Sequence, residues 1–116
     1  ACPAFPGSLP VASPAPPADD QELERRVSAV FLDTVPALMA RLRDAVERGH
    51  GQAVADVAHT LRGALCNFAA PAALATAAQM EEMGERGDLG TARETLGALG
   101  DEVARLSREL AARLEG

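Results

Sequence analysis

One histidine lies on the polar side of a helix whose other face is apolar. Wound at 100° per residue, Val54, Val57, Ala58, Ala64, Leu65 and Phe68 all fall within about 60° of Leu61. His59 falls about 160° away, with Arg62 and Gly63 beside it at i+3 and i+4. A surface imidazole with an ordinary pKa near 6.5 is mostly neutral at neutral pH, and a neutral imidazole is a nucleophile. Arg62 offers a permanent cation with several donors, suited to a phosphoryl group on that nitrogen. Gly63 weakens the helix by roughly 0.5–1 kcal/mol relative to Ala, which points to something approaching the backbone closely. The plainer reading stands beside this one: an exposed histidine on an amphipathic helix is commonly a solvated surface residue. No Ser–His–acid or Cys–His set, glycine-rich phosphate loop or paired carboxylates accompany it.

The elements that must carry these residues are helical. The chain has 116 residues, room for one small domain, and 25 of them are alanine. Ala, Leu, Arg and Glu favour helix, while the scarcity of β-branched and aromatic residues argues against a sheet. There are 17 acidic and 11 basic residues, every basic one an Arg, and the net charge is −6. An acidic chain with three Phe and no Trp or Tyr lacks the basic footprint and stacking platforms of a nucleic-acid binder. No apolar run approaches the roughly 20 residues of a membrane span, so direct membrane contact is not expected. Cys2 and Cys66 are too few for a disulfide scaffold, and no zinc spacing is present. With neither an initiator Met nor a signal peptide, the chain reads as a processed protein or a segment of a longer one.

Residues 1–18 hold six of the eight prolines and no charge, and predict a semi-rigid linker or disordered tail. Asp19 and Asp20 then suit a helix start. Val27, Val30, Phe31, Val35, Leu38, Leu42 and Val46 trace one apolar face to about Arg48. Pro36 inside this stretch predicts a kink or a break near Thr34, which would set off an extra N-terminal helix. Gly49-His50-Gly51 predicts a turn, and a second helix follows over about 52–69. Pro71 suits the first turn of a third, over 71–86, with Leu74, Ala77, Ala78 and Met80 inward. The stretch from Gly84 to Gly90 then brings in a turn around Gly87-Asp88. Leu89, Ala92, Leu96, Leu99, Val103, Leu106 and Leu110 then alternate steps of three and four, as a heptad seam does. Four amphipathic segments with short connections predict an all-α, antiparallel up-down four-helix bundle over residues 19–116.

The segment Ala58-His59-Thr60-Leu61-Arg62-Gly63-Ala64, followed by Asn67, Phe68, Ala69 and Ala70, resembles the signature of histidine phosphotransfer domains. The preceding stretch FLDTVPALMARLRDAVERG and the later AAQMEEMGERGDLGTARETLGAL resemble that family's flanking helices, so the likeness covers about residues 20–112. Three departures stand out. Arg62 occupies a position where Lys is commoner, Ala69 replaces a usual Gly, and Cys66 sits where a small residue is usual. A redox role for Cys66 and a passive packing role are both open.

The resemblance implies a phosphocarrier rather than an enzyme. His59 would accept a phosphoryl group from the aspartyl phosphate of a response-regulator receiver domain and pass it to a second receiver. Arg62 would steady the added charge, and Gly63 would admit the receiver, which would dock around Ala55 and the first helix. In such domains an acceptor on the next helix often lies 22 residues past the His and bonds its ring; here that is Glu81, with Gln79 nearby. A solvated face charge is the other reading of Glu81. No cofactor or metal is expected in this chain, because Mg2+ would belong to the receiver. The implied setting is a cytoplasmic phosphorelay, with this module at the C-terminal end of a hybrid sensor histidine kinase, behind upstream kinase and receiver domains. The alternatives are the phosphoacceptor domain of a chemotaxis-type kinase and a helical interaction module that is never phosphorylated. His50 has no assigned part.

Overall fold

A computed structural model describes residues 20–115 as four helices: α1 Asp20–Arg48, α2 Gly51–Leu65, α3 Pro71–Arg86 and α4 Ala92–Glu115. The Pro-rich residues 1–18 and Asp19 lie outside the described residues. Each helix packs on its chain neighbour, and α1 also packs on α4, which closes the ring of an up-down bundle. Arg25 Nη2 donates to the Leu114 carbonyl at 2.9 Å, tying the start of α1 to the end of α4, as antiparallel helices require.

The core is the set of apolar stripes turned inward. Leu42, Leu61, Leu65, Met80, Leu99 and Leu110 are its largest fully buried side chains. Burying each such side chain contributes on the order of 1.5–3 kcal/mol relative to leaving it in water. The heptad seam of α4 holds: Ala92, Leu99, Val103, Leu106 and Leu110 are buried, and Leu89 and Leu96 pack against the core's edge.

Both sharp turns end in the same way. Gly49 and Gly87 adopt left-handed backbone with φ of 70° and 69°. Asp88 N–H donates to the Met83 carbonyl and Gly87 N–H to that of Gly84. His50 N–H reaches Ala45 and Gly49 N–H reaches Val46 in the same pattern. This double bond satisfies the last carbonyls of a helix, and glycine adopts the required φ without strain.

Four expectations need correction. Pro36 does not break α1, which is one helix of 29 residues, so among the described residues no separate N-terminal helix is set off. The proline is exposed, while Phe31, Val35, Met39 and Leu42 on the opposite face are buried and hold both halves on one axis. Second, α2 stops at Leu65, before the expected 69. Past it the bonding tightens, with Asn67 and Phe68 N–H donating only three residues back, to Ala64 and Leu65, and Ala70, held extended by the following Pro71, sits at φ −131°. Third, α4 begins at Ala92, so Leu89 belongs to the preceding turn. Fourth, Val30 does not join the core: it is 61% exposed.

Candidate functional site

The site is made where α2 and α3 come closest. Gly51 opens α2 and Gly84 lies in the last turns of α3, and neither can carry a side chain. A Cβ on Gly84 would stand 2.5 Å from the Ala55 nitrogen and 2.6 Å from the Gly51 carbonyl oxygen. A Cβ on Gly51 would meet the Gly84 carbonyl oxygen at 2.8 Å. The two backbones are therefore in direct contact at this level. One turn further along α2 is His59, and one turn back along α3 is Glu81.

There the two helices meet through polar groups. Glu81 Oε2 lies 3.0 Å from His59 Nδ1. Its other oxygen, Oε1, accepts a hydrogen bond from Arg62 Nη1 in a salt bridge. The Glu81 side chain is only 14% exposed and that of His59 57% exposed. Burial pushes the Glu81 carboxyl up, but the hydrogen bonds and charges of Arg62 and His59 outweigh it and leave the carboxyl below its ordinary value. Glu81 is thus a carboxylate at neutral pH, and a carboxylate only accepts. The hydrogen between it and His59 therefore sits on Nδ1, and in the neutral ring Nε2 keeps its lone pair. The arrangement is an exposed imidazole with one nitrogen anchored and the other free to react.

Three expected site residues, His59, Arg62 and Glu81, meet in one cluster, and Glu81 is a bonded partner rather than a solvated face charge. Arg62 directs its charge first at Glu81, and its Nε is buried without a hydrogen-bond partner among the described residues. Gly63 is buried, although the helical wheel set it toward solvent. A residue with no side chain does not reach past its longer neighbours His59, Thr60 and Asn67. Ala55 is likewise not free for docking: it is 4% exposed and lies under Gly84. Gln79 is exposed, and Cys66 is half-buried just past the end of α2.

Two features escaped the sequence. The first is the tight contact at Gly84, which lies inside α3 as the 71–86 span predicts; a lone glycine among helix formers, three residues after Glu81, is the signal of close packing. The second is an apolar groove between α1 and α2, beside the His59 face. Val27, Val30, Phe31 and Leu38 line it from α1, and Thr60 and Ala64 from α2. Among the described residues no group of His, Cys, Asp and Glu is placed to hold a metal ion, and no helix is long and apolar enough to cross a membrane.

A four-helix bundle presenting one carboxylate-anchored histidine defines a class of histidine-bearing carrier modules. Residues 26–109 match the family model of the Hpt domain, and the chain belongs to that family. It is therefore a histidine phosphotransfer module of the phosphorelay type. No curated protein and no solved structure matches the chain.

Proposed function

We propose that His59 is the phosphoacceptor, and that it takes a phosphoryl group from a receiver aspartyl phosphate and hands it to the aspartate of another receiver. The observation that carries this reading is the bond from Nδ1 to Glu81, on a side chain that is otherwise exposed. The Nε2 lone pair attacks phosphorus as the bond from phosphorus to the aspartate oxygen breaks, and the carboxylate leaves with that electron pair. No proton moves. The ring, still protonated at Nδ1, gains positive charge that the Glu81 carboxylate offsets across 3.0 Å. Transfer to the second receiver is the reverse step at a new aspartate. Arg62, one helical turn from His59, faces the phosphoryl oxygens with the donors that Glu81 leaves free. Gly63 keeps the position at i+4 from His59 clear of a side chain.

The receiver docks across the α1–α2 groove of about 740 Å³, with exposed Val30 on its rim. An interface of this kind is modest and transient. Residues 19–116 act as the domain. The Pro-rich lead tethers it within a cytoplasmic hybrid sensor kinase. Mg2+ for the chemistry is supplied by the receiver. The test is to mix the protein with a phosphorylated receiver and follow acid-labile, base-stable phosphate on wild type and His59→Gln. Label on wild type alone is expected; equal label on both removes His59 as the acceptor.

A further inference from the structure

We infer that Gly84 is a positioning residue for His59: it lets the α3 backbone rest on Gly51 and Ala55, and so sets the helix separation at which Glu81 reaches Nδ1. The inference builds on reading His59 as the phosphoacceptor. Gly84 sits inside a helix, where glycine costs about 1 kcal/mol relative to Ala. The contact explains its presence, because the atoms nearest its missing Cβ are all backbone: Ala55 N at 2.5 Å, Gly51 O at 2.6 Å and Ala55 Cα at 3.0 Å. Backbone atoms cannot rotate away. Relieving a 2.5 Å approach to an ordinary separation near 3.5 Å moves the helices apart by about 1 Å.

That movement falls on the site. Glu81 precedes Gly84 by three residues on α3, and His59 follows Ala55 by four on antiparallel α2. Both of Glu81's partners, His59 and Arg62, are on α2, so a shift of α3 pulls on both bonds at once. The gap of 3.0 Å between Nδ1 and Oε2 has no slack of that size, since hydrogen bonds weaken beyond about 3.2 Å. The tightness is local. A Cβ on Gly97 of α4 would meet nothing within 4 Å, and one on Gly100 would make only an ordinary 3.9 Å contact with Met39 Cε.

The measurement is the tautomer of His59, read from its ring ¹⁵N shifts at pH 7.5 in wild type, Gly84→Ala and Gly97→Ala, with exposed His50 as internal reference. Wild type is expected to show a protonated Nδ1 and a bare Nε2. Gly84→Ala is expected to move the ring toward the protonated-Nε2 form and to slow phosphoryl transfer from a receiver about tenfold, the worth of a charge-assisted hydrogen bond. Gly97→Ala, the same change in open space, is expected to alter neither. A folded Gly84→Ala protein with a wild-type ring spectrum overturns the inference. Where Gly84→Ala does not fold, Gly51→Ala presses the same contact from the other helix, at 2.8 Å, and is expected to give a smaller shift of the same sign. An unchanged ring in folded Gly51→Ala, or failure of both variants to fold, reduces the contact to plain packing. If wild type takes no phosphoryl group, the functional reading falls, while the ring shifts still report on Gly84.

Discussion

The two flanks of α2 are built in opposite ways. Toward α3 the backbones touch, through Gly51 and Gly84, and the gap beyond is filled by the Glu81 carboxylate bonded to His59 and Arg62. Toward α1 the contact is made by side chains, among them Phe31 of α1 and Phe68 just past the end of α2, whose rings meet edge-on with centroids 4.9 Å apart. Beside that pair the interface opens into an apolar groove. The difference fits the roles proposed for the two flanks. A hydrogen bond that selects a tautomer depends on tenths of an ångström, and backbone contact sets distance more rigidly than flexible side chains. A surface that receives a changing set of partners needs apolar area left uncovered. The sharpest way to break this division is Val30→Asp. Val30 is 61% exposed, so stability should change by no more than about 0.5 kcal/mol. A charge that a docking receiver must desolvate should weaken binding by about tenfold or more. Titration calorimetry with the receiver checks this, and unchanged affinity would move the docking surface elsewhere.

The α3 flank has its own signature in acid. The Glu81 carboxyl lies below its ordinary value in the folded protein. A carboxyl that loses its proton more readily when folded stabilises the fold above its unfolded pKa, near 4.3, and that contribution drains away as pH falls through the lower folded value. Wild type should therefore lose stability on acidification below about pH 4.5, and Glu81→Gln should lack that share of the slope. At pH 7 the variant should also be less stable by about 1 kcal/mol, because the charge that balances Arg62 is gone. Urea unfolding at pH 7 and pH 3.5 measures both, and parallel slopes in the two proteins would mean that Glu81 is not held as described.

Much of this was legible from spacing. The i+3 and i+4 steps found the four helices, and the heptad seam of α4 predicted its buried residues one by one. His59 declared itself by lying opposite Leu61, and Arg62 by its distance from His59. What periodicity could not show was which residues of neighbouring helices meet. By spacing alone Glu81 reads as an ordinary surface acid, and only the family resemblance, 22 residues past His59, marked it as a partner for the ring; Ala55 reads as exposed until α3 is laid beside α2. Val30 fails in the other direction: its spacing is right for burial, yet it lines an open groove. Pro36 misled because local propensity favours a break, whereas the buried face from Phe31 to Leu42 runs straight through it. Gly84 falls inside the predicted third helix, but its role stays ambiguous there, since a glycine near a helix end suits the lead into a turn as well as a tight crossing.

That ambiguity gives the smallest and most direct prediction. Gly84 and Gly97 are both glycines inside helices, and one substitution separates them. Gly97 is exposed, a Cβ there would meet nothing within 4 Å, and its φ is not in the left-handed region. Alanine at that position should raise stability by about 0.5–1 kcal/mol, because it narrows the unfolded chain's freedom and suits a helix. At Gly84 the same methyl should lower stability, since the gain in propensity is smaller than the penalty of forcing backbone apart. Opposite signs in thermal melts of the two variants are expected. A Gly84→Ala protein that gains stability like Gly97→Ala would show that α3 has room to spare against α2, and the contrast between the two flanks of α2 would lose its physical basis.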